Sequence, residues 1–211
     1  MRESVKSLLK NKNYMSYFFS TAFSMGSSNI LQFTLALFIL EKTGSPLIYA
    51  SILSVIVIPR VLLTPIGGVL GDRLNRVNIM RTLNLIQVLV MVIYAIYSGI
   101  YGDISLVSVY VLVVTLEMIE VFYNTAESSI LSEIVDKEEI EEAVTLSRID
   151  DGIVFVSTPI VAAFIYNEFE ILGTFILISV LLVLSFTLTF FIGTPHALET
   201  KKEKEKGFIG Y

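Results

Sequence analysis

Gly68-Val69-Leu70-Gly71-Asp72-Arg73-Leu74-Asn75-Arg76 is a charged, glycine-punctuated segment between two long apolar runs. A tight connection between two helices needs residues that tolerate special backbone angles, which Gly68, Gly71 and Asn75 supply. It also needs charge to keep it out of hydrocarbon, and Asp72, Arg73 and Arg76 provide that. The runs on either side therefore read as membrane spans joined on one face of a bilayer. Composition agrees, because 54% hydrophobic residues exceed what a soluble domain of 211 residues can hide in one core.

Working outward, apolar stretches long enough to cross about 30 Å of hydrocarbon as helix occur at six places. They run over Tyr14–Leu40, Leu47–Leu70, Ile79–Ile100, Leu106–Thr125, Gly152–Tyr166 and Ile171–Ile192. The fifth is short unless the segment from Arg148 to Asp151 extends its helix into the interface. The expected architecture is thus an all-α membrane protein, a six-helix transmembrane bundle over residues 1–193 followed by a linker or tail over 194–211. Its connections alternate in length, very short at Lys42–Pro46, Tyr101–Ser105 and Asn167–Glu170 and longer on the other side, as in a bundle of antiparallel neighbours.

Basic residues fix the expected orientation, since Lys and Arg are retained on the cytoplasmic side. Arg2, Lys6, Lys10 and Lys12 precede the first span. Arg73, Arg76 and Arg81 follow the second, Lys137 and Arg148 the fourth, and Lys201, Lys202, Lys204 and Lys206 the sixth. Only Lys42 falls on the other side, so both termini are expected in the cytoplasm of a multi-pass cell-membrane protein. The first run is too long for a cleaved signal peptide. The net charge of −5 does not oppose this orientation, because acidic residues contribute little to topology. The basic head and tail suit anionic lipid rather than nucleic acid.

Several chemistries are excluded. The chain has no cysteine and a single histidine, His196, which reads as a solvated interface residue, so no thiolate or Cys/His metal site is available and no cofactor is expected. An enzyme has no support, since no nucleophile with a base and no phosphate loop accompanies the buried carboxylates. Asp136 followed by Glu139 has capping-box spacing. It predicts a separate cytoplasmic helix over about 137–147, with Ile140, Ala143 and Val144 turned toward the membrane.

The pattern G-x-x-x-D-R-x-N-R between the second and third spans resembles the conserved loop motif of the major facilitator superfamily. Glycine usually stands at the place of Asn75, and the family's further basic positions are Val77 and Asn78 here, with Arg81 nearby. The resemblance implies a charge-locked cytoplasmic latch built from Gly68, Gly71, Asp72, Arg73, Asn75 and Arg76, with Asp72 as its carboxylate. The Arg-containing element usual on the fourth span, which carries the standard partner of Asp72, is missing here. Other stretches resemble the macrolide-efflux-like drug exporters of that superfamily: Ala36-Leu37-Phe38 with Glu41-Lys42-Thr43-Gly44-Ser45, Ile58-Pro59 through Gly68, and Ala126 to Leu131 with Glu142 to Leu146. Thr158-Pro159-Ile160-Val161-Ala162-Ala163 is similar to a degenerate form of the fifth-span G-P-x-x-G-G element of antiporters in the superfamily, although Thr158, Pro159, Ala162 and Ala163 equally suit close helix packing. Its echo of Thr64-Pro65-Ile66-Gly67-Gly68 fits a three-plus-three inverted repeat, half of a major facilitator fold.

Charges at membrane depth mark where function is expected, because each costs at least about 2.5 kcal/mol at a helix centre. At 1.5 Å per residue, Arg60 lies about 15 Å from the inner surface, Glu117 about 13 Å and Glu120 about 8 Å. Glu117, Glu120 and Asn124 share one helix face. Ser28, Asn29 and Gln32 make a polar face on the first span, and the resemblance places both faces in a central cavity. The expected function is proton-coupled efflux of a small amphipathic or drug-like molecule, with Glu117 or Glu120 exchanging a proton against substrate and Arg60 biasing its ionisation; a static ion pair joining two spans is the other reading of the same residues. Exporters of this kind have two six-helix halves, so the chain reads as an N-terminal half that needs a C-terminal half or a second copy of itself. The alternative is a non-transporting six-span assembly or regulatory subunit.

Overall fold

The computed structural model describes residues 2–73 and 75–193, with side chains at 4–67 and 75–193. The side chains of Gly68 to Arg73, all of Leu74, His196 and the proposed tail over 194–211 lie outside the described residues. Among the described residues, six α-helices follow in order: α1 (Arg2–Lys10), α2 (Lys12–Thr43), α3 (Pro46–Arg73), α4 (Arg76–Tyr101), α5 (Leu106–Ile134) and α6 (Ile140–Thr189), the last preceded by a 3-10 turn at Lys137–Glu139. Five segments are long and apolar enough to cross a membrane: Lys12–Thr43, Pro46–Gly67, Arg76–Tyr101, Leu106–Ile134 and Lys137–Thr189.

The fifth of these doubles back. Fifty residues of straight helix would be about 75 Å long, far more than a bilayer core. Glu170 interrupts it with φ 55° and ψ −157°, a region sparsely populated by residues with a side chain. Contacts with α2 confirm the reversal. Tyr14, near the start of α2, donates to the Ala143 carbonyl at 3.3 Å, whereas Tyr166 donates to Glu41 near the end of α2. The chain then returns, so that the Gly193 amide donates to Asn13 at 3.0 Å. α6 therefore comprises an outgoing limb (140–169) and a returning limb (171–189), and the chain passes through the bundle six times. Gly173 makes the turn possible, because a Cβ there would sit 2.1 Å from the Phe169 Cβ.

Local chemistry accounts for most boundaries. Asn11 is extended and its side-chain oxygen accepts from the Asn13 and Tyr14 amides, so it caps α2 and separates it from α1. Gly44 and Gly102, both at positive φ, end α2 and α4 in left-handed caps. Ser105 caps α5 through the Ser108 amide.

Four expectations need correction. Gly68 and Gly71 are not turn residues, since α3 remains helical through Arg73. Asn75 does not adopt the left-handed conformation: it is extended at φ −68° and accepts from the Asn78 amide, which makes it the N-cap of α4. Asp136 makes no capping bond and the predicted inner helix is not separate, because Ile140 continues without a break into the outgoing limb. Within that helix Ala143 is fully buried while Val144 faces outward. The short α1, absent from the span reading, packs Leu8 into the same end of the bundle.

Two apolar cores result. One, around Tyr14, Tyr17, Met80, Ile130 and Ala143, lies at the end carrying Lys6, Lys10, Arg76 and Arg81, called here the basic end. The other, around Leu35, Ile39, Met91, Leu112 and Phe175, lies toward the opposite end. There Lys42 pairs with Asp103 and also donates to the Ile104 carbonyl. The Lys42 ammonium, reinforced by the Ile104 amide, holds the exposed Asp103 carboxyl below the usual carboxylate range.

A polar layer separates the cores. Ser20 and Ser185 exchange hydrogen bonds with each other's carbonyls at 3.0 and 2.7 Å, and Asn84 donates to the Ser185 hydroxyl at 3.0 Å. These three residues, from α2, the returning limb and α4, are fully buried. Hydroxyl and amide bonds of this kind tie helices together where apolar contact alone gives little preference for protein over lipid.

Candidate functional site

Beside the polar layer, α2, α3, α4, α5 and the returning limb enclose a cavity of about 350 Å³. That size falls in the range of small-molecule sites. Its charged residues are Arg60, Glu117 and Glu120, joined by Ser28, Asn29 and Gln32 from α2. The structure thus brings together residues from three spans that sequence depth and periodicity had singled out.

Arg60 and Glu117 form a bidentate pair between α3 and α5, Nε to Oε1 at 2.7 Å and a terminal nitrogen to Oε2 at 3.1 Å. The fork geometry matches both carboxylate oxygens. Glu117 is sunk between helices with its side chain 7% exposed, while the Arg60 side chain is 61% exposed on the cavity side. Glu120, one turn away, is held differently. Ser28 donates to its Oε2 at 3.3 Å, and no cation reaches it within ion-pair distance among the described residues. The two carboxylates that the sequence left equivalent are therefore distinct, one locked in the ion pair and one hydrogen-bonded to Ser28 with Arg60 nearby but beyond ion-pair distance.

Asn124 needs a correction. It is exposed and stands beside Glu120 rather than in the cavity wall, because α5 carries it a further turn toward the basic end, beyond the enclosed volume. On the outgoing limb, Thr158 and Ala162 are buried four residues apart whereas Ala163 is exposed, and Pro159 lies inside the helix without ending it. Gly26 of α2 lies against Val154 of the same limb. Small residues at this interface let the backbones approach. Gly67 has the same use on α3, where a Cβ would come 3.0 Å from the Thr125 hydroxyl of α5.

Of the proposed latch, Asn75 and Arg76 are described with side chains. Arg76 pairs with Glu133 and donates to the Ser129 carbonyl at 3.3 Å, fastening the start of α4 to the last turns of α5. The side chains of Gly68, Gly71, Asp72 and Arg73 lie outside the described residues.

Sequence reasoning missed Gln87, Ser27 and Tyr49, which also line the cavity. Gln87 is 4% exposed, and its carboxamide oxygen has no hydrogen-bond partner. Its signal was present: Asn84 and Gln87 are three residues apart in an otherwise apolar span, which puts both on one face.

A polytopic helical bundle with paired charges and a polar cavity between its spans has the form of a membrane transporter domain. The chain belongs to the Major Facilitator Superfamily, whose family model matches residues 17–210. It is similar to an uncharacterised MFS-type transporter, YkuC of Bacillus subtilis (strain 168), with 24% identity over 181 residues covering 84% of this chain. The match takes in 41% of that relative's length.

Proposed function

We propose that this chain is the N-terminal half of a secondary active transporter that exports small amphipathic or drug-like molecules in exchange for protons, as macrolide-efflux-like exporters do. A C-terminal six-helix half, or a second copy of the chain, completes the transport path. The greater length of the similar MFS-type transporter supports the first arrangement. The basic residues gathered at one end support placement of both termini in the cytoplasm. Proline in α3 at Pro59 and Pro65, and in the outgoing limb at Pro159, supports the inverted-repeat reading, in which the second span answers the fifth.

The observation that carries the function is the difference between the two carboxylates. Glu117 is already neutralised by Arg60, whereas Glu120 borders the cavity and accepts from the Ser28 hydroxyl. A carboxylate in such a place is neutralised by a proton or by a ligand, which is the minimum chemistry for antiport. Arg60 then serves to hold Glu117 and to orient the α3–α5 seam. By resemblance, Asp72, Arg73 and Arg76 form the inner latch, and the Arg76–Glu133 pair supplies one of its cationic contacts. The test is dye efflux in energised membrane vesicles containing the complete transporter. Glu120→Gln abolishes proton-driven export while Glu120→Asp retains part of it; export that survives Glu120→Gln overturns the assignment, and the absence of any efflux by the native protein favours the non-transporting subunit.

A further inference from the structure

We propose that the groove between α4 and the returning limb of α6 binds one anionic phospholipid, with its phosphate on Arg81 and an acyl chain along the groove. The site shares no residue with the cavity and does not depend on the transporter reading.

The head of the site is a cation without a counter-charge. Arg81 stands in the second turn of α4, at the basic end. Its guanidinium carbon lies 4.4 Å from the centre of the Phe190 ring. Its terminal nitrogens donate to the Thr189 carbonyl at 3.0 Å and, at 3.4 Å, to the Asn78 side-chain oxygen. No carboxylate pairs with it among the described residues, and its Nε is buried without a hydrogen-bond partner. Arg76, further toward the basic end on the same helix, is matched by Glu133. A guanidinium short of acceptors suits a phosphate, whose oxygens its terminal N–H groups meet in a planar fork. A zwitterionic headgroup brings its own cation, so the charge at Arg81 is balanced only by a lipid with net negative charge.

Shape supplies the second argument, and it is independent of charge. α4 and the returning limb run antiparallel in one register: Arg81 meets Thr189, Asn84 meets Ser185, and Gly99 lies against Leu172. From Arg81 the exposed Leu85, Leu89 and Ile96 follow at helical spacing, and from Phe190 the exposed Val183, Val180 and Ile176 follow on the facing limb. An apolar groove of about 320 Å³ lies between these stripes, its walls including Val92, Ile96, Ile176, Val180 and Leu184. Ala95 and Ser179 keep it hollow by their size, and the Ser179 hydroxyl is already spent on the Phe175 carbonyl. At 1.5 Å per residue, Leu184 stands about 9 Å and Ile176 about 21 Å from the level of Phe190. Half the hydrocarbon thickness is about 15 Å, so a chain hanging from a phosphate at Arg81 enters the groove and follows it to the middle of the bilayer. A cation at the membrane surface and an apolar channel running inward from it match the two parts of a phospholipid.

The experiment is native mass spectrometry of the delipidated full chain in detergent, offered equal amounts of dioleoyl phosphatidylglycerol and dioleoyl phosphatidylcholine. The first lipid bound is expected to be phosphatidylglycerol by about tenfold, the scale of one charge-assisted hydrogen bond. Arg81→Gln brings the ratio close to one. Lys6→Gln with Lys10→Gln, which strips exposed charge from α1 at the same end, leaves the ratio unchanged. Val180→Phe fills the groove without touching Arg81 and cuts retention of phosphatidylglycerol severalfold. Equal retention of the two lipids by the native chain overturns the proposal, and this comparison needs no variant to fold. An unchanged ratio in Arg81→Gln, or its loss in the Lys6 and Lys10 variant, assigns the preference to diffuse basic charge and overturns it too. Unchanged retention in Val180→Phe removes the acyl chain from the groove, and a dimer that excludes lipid gives the groove to a second copy of the chain; either result overturns the site.

Discussion

Removing Arg60 should harm the protein more than removing Glu117, although they are partners in one pair. The reason is their unequal burial: the Glu117 side chain is 7% exposed and the Arg60 side chain 61% exposed. Arg60→Met leaves a carboxylate sunk between α3 and α5 with both of its guanidinium bonds lost, and stranding a buried charge costs about 3 kcal/mol or more. Glu117→Gln leaves a cation that is largely exposed at the cavity wall and retains an amide oxygen for one bond, so the expected cost is about 1 kcal/mol. Arg60→Met combined with Glu117→Leu removes both charges and is expected to recover most of the stability lost by Arg60→Met alone. Unfolding of the purified chain by sodium dodecyl sulfate titration, followed by far-ultraviolet circular dichroism, measures all three variants on one scale. Additive losses in the double variant would refute a direct pair, and a larger loss for Glu117→Gln than for Arg60→Met would refute the assignment of the buried partner.

Three further outcomes follow from other parts of the fold. Gly173→Ala places a Cβ against the Phe169 Cβ at 2.1 Å, so the α6 reversal is lost and the variant elutes as aggregate in gel filtration; Phe169→Gly in the same chain restores the monodisperse peak, whereas Phe169→Ala does not, because it keeps the clashing atom. At the opposite end of the bundle, Lys42 depresses the Asp103 carboxyl in the folded state, so the unfolded chain binds the more protons and the tie stabilises above the ordinary carboxylate pKa of about 3.9. Its contribution falls as pH drops through the depressed native value, and thermal unfolding of Asp103→Asn is expected to show a flatter acid limb than the native chain, with parallel curves near neutrality. Arg76→Glu and Glu133→Arg should each loosen the join between α4 and α5, read as faster proteolysis, and the double exchange should recover protection; identical digestion of all forms would remove the pair from the fold's fastenings.

What the sequence made legible was whatever depends on one helix at a time. Span lengths follow from hydrocarbon thickness, and the face shared by Glu117 and Glu120 follows from 3.6 residues per turn. That Arg60 could pair with a carboxylate of the fourth span was legible through depth, because opposite charges at overlapping levels have a strong reason to pair, but the choice of Glu117 over Glu120 was not. Three features were not legible for a common reason. The missing Asp136 cap could not be read from spacing, since the 3-10 turn satisfies the Glu139 amide from the backbone instead, and the unbroken helix through 140–169 carries no sequence mark of its continuity at Arg148 to Asp151. The reversal at Glu170 uses a residue with no special freedom at positive φ, made possible by Gly173 three residues later. The helical backbone at Gly68 and Gly71 reads as a turn in sequence because glycine signals freedom of the backbone, not its use.

The cavity shows the same limit most clearly, and shows what produces the site. Ser28 on α2, Gln87 on α4 and Glu120 on α5 are ordinary polar interruptions when each span is read alone. They become a site because the two apolar cores seat the helices in one register and leave the polar residues at a single level between them. Within that level the polar groups divide into two kinds. Ser20, Asn84 and Ser185 bond to one another and fasten the bundle, while Gln87 and Glu120, one helical turn further from the basic end on α4 and α5 respectively than Asn84 and Asn124, keep capacity for a partner. Packing by the first group holds the second group open. An unpaired oxygen does not by itself separate the two kinds, since the Asn84 carboxamide oxygen also lacks a partner; what sets Gln87 with Glu120 is that both line the cavity while Asn84 does not.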